Sequence, residues 1–193
     1  MKSAGFFFLI SIVFYFSCRN SNNSSNGNNS QADTTRFFQV TRFIKNEIEE
    51  VNKTPYYIYK LEVNNGKADS TPINTSIFNQ LSAAFLHPDF NNESLKPKYK
   101  ENIFEDQTTK SFTISYSTLD KNIEIQNVEI LLKEDGQTVK RVFMRKFLNY
   151  SDSSAIEQLS WKPGERFQIN RSVQKVDNTE STRQTTVVWD QKS

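Results

Sequence analysis

The sequence predicts an α+β domain: two N-terminal helices packed on a curved antiparallel sheet of about six to seven strands. Three observations lead there. Before residue 90, apolar residues recur twice at three- and four-residue steps, the period of an amphipathic helix. After about residue 100 the period drops to two, that of a strand with one buried face. Tight-turn sequences then join successive period-two runs, and short connections make antiparallel neighbours.

The first helix is expected over roughly 35–53, where Phe37, Val40, Thr41, Ile44, Ile48 and Val51 form a stripe. Asp33 or Thr35 is placed to cap it, and Pro55 ends the region. Residues 56–63 read as a strand with Tyr57, Tyr59, Leu61 and Val63 on one face. Asn64-Asn65-Gly66 turns the chain into a short returning strand over 67–73. The second helix is expected over 75–87, with Asn74 or Thr75 as cap and Pro88 as stop. Residues 91–100 read as a loop. Phe112, Ile114 and Tyr116 then alternate with Ser and Thr, and Ile123 to Leu132 forms a strand with a slip near Gln126-Asn127. Strands follow at 139–148, 155–161, 166–176 and 184–189, with tight turns at Glu134-Asp135-Gly136-Gln137 and Lys162-Pro163-Gly164-Glu165. The connection 177–183 is polar.

The N-terminus is a different matter. Lys2 precedes a run, residues 4–16, broken only by Gly5 and Ser11. Charge, short apolar run and small residue make the pattern of a secretory signal over 1–17. The run falls short of the roughly 20 apolar residues that a membrane span requires. It ends at Tyr15-Phe16-Ser17-Cys18, and Cys18 is the single Cys of the chain. Residues 19–35, RNSNNSSNGNNSQADTT, hold no large apolar side chain and cannot bury enough surface to offset their ordering entropy. They read as a flexible tether with a mean span of about 20–25 Å, leaving 36–193 as a single globular domain.

Ser17-Cys18 at the end of the apolar run, followed by the Asn/Ser-rich tract, resembles the precursor of a small bacterial lipoprotein of the Bacteroidota type. Tyr15 and Phe16 depart from the usual residues of that motif. The resemblance implies that the Cys18 thiol carries diacylglycerol, that the signal is removed, and that a further acyl chain such as palmitate is added at the new N-terminus. Two or more chains hold a protein stably on a membrane, at about 0.8 kcal/mol per buried CH₂. It also implies a cell-envelope location. Arg19, where an Asp would mark inner-membrane retention, points to the outer membrane. The implied partners are the membrane itself, envelope proteins and glycans.

Several chemistries are disfavoured. A formal net charge of +2 projects no field suited to a nucleic-acid partner. With Cys18 acylated no thiol is left for catalysis, and the single His, His87, stands at a predicted helix end where it can meet the terminal carbonyls. Zinc needs more Cys and His than the chain holds. Asp89-Phe90-Asn91-Asn92-Glu93 and Asp177-Asn178-Thr179-Glu180 lack the pattern of a calcium loop. No phosphate-cradling Gly motif occurs, so no cofactor, metal or catalytic residue is assigned. Glu105 with Asp106, or Glu47 with Glu50, are the carboxylate pairs a glycosidase would need. Ligand-binding candidates are Tyr57, Tyr59 and Trp161, alongside Tyr56 and Trp189, as platforms for sugar rings, against the ordinary alternative of aromatics packing a sheet. Lys140-Arg141 and Arg145-Lys146 are candidates for anionic head groups, against a solvated strand face. The expected function is a membrane-tethered, non-enzymatic accessory or binding module, with a carbohydrate-handling surface lipoprotein as the alternative.

Overall fold

The computed structural model describes residues 37–191. The expected signal at 1–17, the lipid attachment at Cys18 and the tether lie outside the described residues. Helix α1 (Val40–Lys53) leads into β1 (Tyr56–Asn64) and β2 (Lys67–Pro72), then α2 (Thr75–Ser82). Seven strands follow: β3 (Lys100–Asp106), β4 (Ser111–Ser117), β5 (Ile125–Leu132), β6 (Val139–Asn149), β7 (Ser153–Lys162), β8 (Arg166–Lys175) and β9 (Glu180–Gln191). They form one antiparallel sheet in the order β2-β1-β9-β8-β7-β6-β5-β4-β3. Strands β3 to β9 run as a meander, and β1 then adds to the free side of β9.

This corrects the expected fold. One nine-stranded sheet dominates, the helices are only 14 and 8 residues long, and α2 falls between the β1–β2 hairpin and β3. Of the two edge strands, β2 is the returning strand expected over 67–73, whereas β3 is missed by pattern reading. Strand β2, KADSTP, is exposed at all six positions, and β3, KENIFED, is exposed at most of its seven. An edge strand that buries little has no reason to show apolar alternation, and β3 has no tight-turn signal before it to mark it as β2 has. The second helix also stops early, at Ser82, and tightens into a 3₁₀ turn over Ala83–Phe85.

The core lies between the helices and one face of the sheet. Strand pairing aligns Val187, Phe167, Trp161, Val142 and Ile130 in one row across β9 to β5. Thr185, Ile169, Leu159, Met144, Val128 and Tyr116 align in the next row. Val40, Ile44 and Val51 of α1 and Phe78 of α2 pack onto this face and are buried. Trp161 and Phe167 stack with ring centres 5.2 Å apart, and Phe78 and Phe85 meet Trp161 edge-on. A second group, Phe37, Phe90, Tyr99 and Tyr116, closes the end near the start of α1.

Helix α1 begins at Val40, five residues later than its periodicity suggests, because its start is fixed from elsewhere. Gln39, at the cap position, offers no side-chain bond. Instead Asn91 Oδ1 accepts the Thr41 amide at 2.8 Å, Asn91 Nδ2 donates to the Phe38 carbonyl, and Asp89 accepts the Thr41 hydroxyl at 2.6 Å. The Tyr116 hydroxyl accepts the Phe38 amide. Two amides that would otherwise be orphaned at a helix start are thereby satisfied by side chains remote in sequence. Helix α2 is capped locally, as its sequence predicts: Asn74 Oδ1 accepts the Ile77 amide at 3.0 Å.

Candidate functional site on the outward face of the sheet

Strand alternation decides which side chains reach the face opposite the helices. On β1, Ile58 points into the core, while Tyr57 and Tyr59 point outward and are 54% and 42% exposed; Leu61 continues their line. The face predicted to carry Tyr57, Tyr59, Leu61 and Val63 together exists, and it is the solvent face. Trp161 does not join it. Its side chain is fully buried at the centre of the core, and its indole N–H points to Glu47 Oε2 at 3.4 Å. Trp189 is likewise buried. Neither tryptophan can stack on a ligand while the core is intact, so the aromatic platform is reduced to Tyr57 and Tyr59.

The register connects this aromatic line to charges far away in sequence. Tyr59 pairs with Val188 of β9, Val188 pairs with Arg166 of β8, and Arg166 pairs with Lys162 of β7. Val142 opposite Trp161 brings Arg141 of β6 level with Lys162, and Arg141 pairs with Leu131 of β5. All six positions lie on the outward face. At about 4.8 Å between strands, Arg166 is about 10 Å from Tyr59 along this row and Arg141 about 10 Å further. Periodicity alone could not find the row, since its members come from six strands and their alignment depends on a β1–β9 pairing that closes over a hundred residues.

Beside the cationic end lies a groove of about 610 Å³ that contains Lys133, Lys140, Arg141 and Lys162 among its walls, with Leu131 and Phe143 as apolar floor. The Arg141 guanidinium lies 5.5 Å from the centre of the Phe143 ring. Lys140 reaches the groove because β5 and β6 slip by one residue between Leu131 and Leu132, leaving it unpaired. One carboxylate serves the cations from the β7–β8 turn. Glu165 pairs with Lys162 and lies 3.5 Å from Arg166. The hydrogen bond from Lys162, with the positive field of Lys162, Arg166 and Arg141, holds the Glu165 carboxyl below the usual range.

The other expected cations do not converge here. Arg145 is exposed on the outward face, but Lys146 points into the protein, where it donates to the His87 carbonyl and pairs with Glu124 at 3.3 Å. The four charges of 140–146 are thus split between two faces. The candidate carboxylates are also dispersed. Glu47 fastens α1 to the β7–β8 turn by accepting the Gly164 amide at 3.1 Å, Glu50 accepts the Thr54 hydroxyl, and Asp106 caps the turn at Thr108 and Thr109. Asp89 and Asn91, in the segment that lacks a calcium-loop pattern, bond the start of α1. The His87 residue is exposed, and it is its backbone carbonyl that makes the contact with Lys146. Among the described residues no cluster of three His, Cys, Asp or Glu side chains suits a metal ion, and every buried side-chain polar atom has a partner. No helix among the described residues is long and apolar enough to cross a membrane.

No protein-family model matches the chain, and no curated protein matches it. A solved structure with partial similarity is the S-type phycobiliprotein lyase CPES from Guillardia theta, at 12% identity, covering 78% of this chain and 98% of that one. Its TM-score of 0.24 is too low for the likeness to bear on fold or ligand.

Proposed function

We propose that this chain is a binding module of the bacterial envelope, tethered to the outer membrane through a lipidated Cys18. The observation that carries the binding role is the outward sheet face. It presents Tyr57 and Tyr59 to solvent and continues, along one cross-strand row, into Arg166, Lys162 and Arg141. Exposed aromatics beside cations are suited to recognition, because each ring offers a flat apolar surface and each cation a directional contact. The Ser17-Cys18 junction and the Asn/Ser-rich segment behind it support the anchor. The role is accessory and non-enzymatic on this reading, which is supported by the separate structural contacts of Glu47, Glu50 and Asp106, three of the four candidate carboxylates.

A second reading, a carbohydrate-handling lipoprotein, is favoured by Tyr57 and Tyr59 specifically. Two rings spaced two residues apart on one strand face lie about 7 Å apart in backbone and can receive adjacent sugar rings. Two measurements test the proposal. The intact mass of membrane-extracted protein, beside a Cys18→Ala control, should show a chain beginning at Cys18 with added acyl mass. An unmodified chain overturns the anchor. Glycan-array binding that disappears in Tyr57→Ala/Tyr59→Ala supports the sugar reading, and an array left blank by the native protein removes it.

A further inference from the structure

We infer that the groove between the β5–β6 and β7–β8 hairpins is a binding site for a phosphate group carried on an organic body. The inference names a ligand class for part of the outward face and so rests on reading that face as a binding surface.

Three features lead to it. The first is an excess of charge confined to one place. The whole chain carries a net charge of only +2, yet Lys133, Lys140, Arg141, Lys162 and Arg166 gather around this groove. Four carboxylates lie nearby: Glu165 is bound to Lys162, Glu134 pairs with Lys110, Asp135 Oδ1 accepts the Gln137 and Thr138 amides in the hairpin turn, and Glu129 stands opposite Phe143 on β5, so the five cations still outnumber them. Among the described residues Lys133, Lys140 and Arg141 make no ion pair, although other lysines of the same surface do. The second feature is the alignment. Arg166 and Lys162 are direct cross-strand partners and Arg141 is level with them, so three like charges stand side by side. Like charges directly opposite one another destabilise a strand pair, and a bound anion removes that repulsion. The third is the floor. Leu131 and Phe143 place an apolar and aromatic surface beside the cations. A bare inorganic ion would leave that surface wet, whereas a sugar or glycerol carrying the phosphate would cover it.

A phosphate monoester fits better than a carboxylate. It carries a charge of about −1.5 to −2 and three acceptor oxygens, which match several converging donors, including a guanidinium able to bind two oxygens at once. The group could belong to a soluble sugar phosphate or to a lipid head group, and the chemistry recognised is the same.

The test uses the full-length protein in neutral detergent. Isothermal titration with a hexose 6-phosphate, with the unphosphorylated hexose as reference, is run in parallel with flotation of nanodiscs containing phosphatidic acid or only phosphatidylcholine. Saturable binding of the phosphorylated sugar is expected, with none for the plain hexose. Lys140→Gln/Arg141→Gln should weaken it at least tenfold, and Lys133→Gln/Lys140→Gln by a smaller factor. Both pairs are solvent-facing, so unchanged tryptophan emission verifies their folding. Lys45→Gln, on exposed α1 surface, should leave the binding as it is. Binding to phosphatidic acid discs in addition, with the same dependence on Lys140 and Arg141, assigns the source to lipid; sugar phosphate alone assigns it to a soluble ligand. No saturable binding of either probe, or binding indifferent to both variant pairs, overturns the site. Since the Tyr57/Tyr59 arm is measured separately, failure of the groove and failure of the aromatic surface are distinguishable.

Discussion

Replacing Asn91 with Ala tests the device that starts α1. In the native fold the Asn91 amide group makes two bonds to the segment before the helix: Oδ1 receives the Thr41 amide at 2.8 Å and Nδ2 donates to the Phe38 carbonyl at 2.8 Å. Thr41 is buried, so water cannot easily replace the lost acceptor. Losing a helix cap costs typically about 1 kcal/mol, and losing a further hydrogen bond about 0.5–1.5 kcal/mol. The sum is about 2 kcal/mol. Trp161 and Trp189, the only tryptophans in the chain and both buried, report unfolding by fluorescence. With a urea slope of about 2 kcal/mol per molar, the midpoint should fall by about 1 M at unchanged slope. Asn91→Asp keeps the acceptor and places negative charge at a helix start, worth about 0.3–1 kcal/mol. It loses the donor and crowds Asp89, so its stability should fall between the two. Asn92→Ala is the control, because Asn92 accepts only from Ser94 in an exposed local turn and should cost less than about 0.5 kcal/mol. Equal midpoints for Asn91→Ala and Asn92→Ala would refute remote capping of α1.

Three further expectations concern the core and the titrating groups. Phe78→Ala removes the ring that meets Trp161 and Trp189 edge-on and should cost about 3–5 kcal/mol, with a red-shifted tryptophan emission; a loss under about 1 kcal/mol would mean that α2 does not seal the core. Burial pushes the Tyr99 phenol up to about 12, and its hydroxyl donates to the Ile125 carbonyl at 2.6 Å. Its folded value exceeds its unfolded one, so its contribution to stability is whole below about pH 10 and declines as pH rises through 12; ultraviolet difference spectra should show that Tyr99 ionises after the exposed tyrosines, and Tyr99→Phe should reduce that late phase and leave the share of Tyr116, whose phenol burial also pushes up. Hydrogen bonds from the Thr138 hydroxyl and amide and the Gln137 amide hold Asp135 down to about 2. That contribution is present above the unfolded carboxyl value near 4 and is lost as pH falls through 2; side-chain carboxyl NMR should give the low value, and Thr138→Val should raise it.

Parts of this fold were legible because they follow local rules. The Glu134-Asp135-Gly136-Gln137 and Lys162-Pro163-Gly164-Glu165 turns join the strands expected on either side, and Gly136 and Gly164 have φ of +64° and +66°, where a side chain is strained. The slip near Gln126-Asn127 appears as a register shift between Ile125 and Asn127. What escaped was non-local. Strand β3 is held by its pairing with β4 rather than by burial, so Ile103 and Phe104 remain more than half exposed and leave no alternating signature. The cap of α1 comes from Asp89 and Asn91, which in sequence look like solvated loop. The same limit applies to the site. Tyr57 and Tyr59 were found because aromatic residues in a strand are visible in one segment, whereas which face is wet depends on where the helices pack. Trp161, equally visible, is fully buried in the core.

The two faces of the sheet obey different constraints, and the contrast locates the functional information. On the inward face each residue must fill space against α1, α2 and the aromatic cluster, so Phe167, Trp161, Val142 and Ile130 are accounted for by packing. On the outward face folding asks only for strand-compatible side chains, and a neutral Thr or Ser at 141, 162 and 166 would satisfy it without repulsion. Three aligned cations therefore do not serve the sheet. Glu165, placed in the adjoining turn, offsets part of their repulsion through Lys162 and Arg166, but Arg141 lies at the far end of the row, with Phe143 beneath it and no ion pair among the described residues. A second anion reaching Arg141 from outside would complete on that side what Glu165 does on this one. The polarity of the face points the same way. Its aromatic end can hold a ring and its cationic end a negative group, about 10–20 Å apart, the distance covered by a short saccharide rather than by a single ion. Under the proposed binding role, this row would suit an extended, partly apolar, negatively charged molecule lying across β1, β9, β8, β7 and β6.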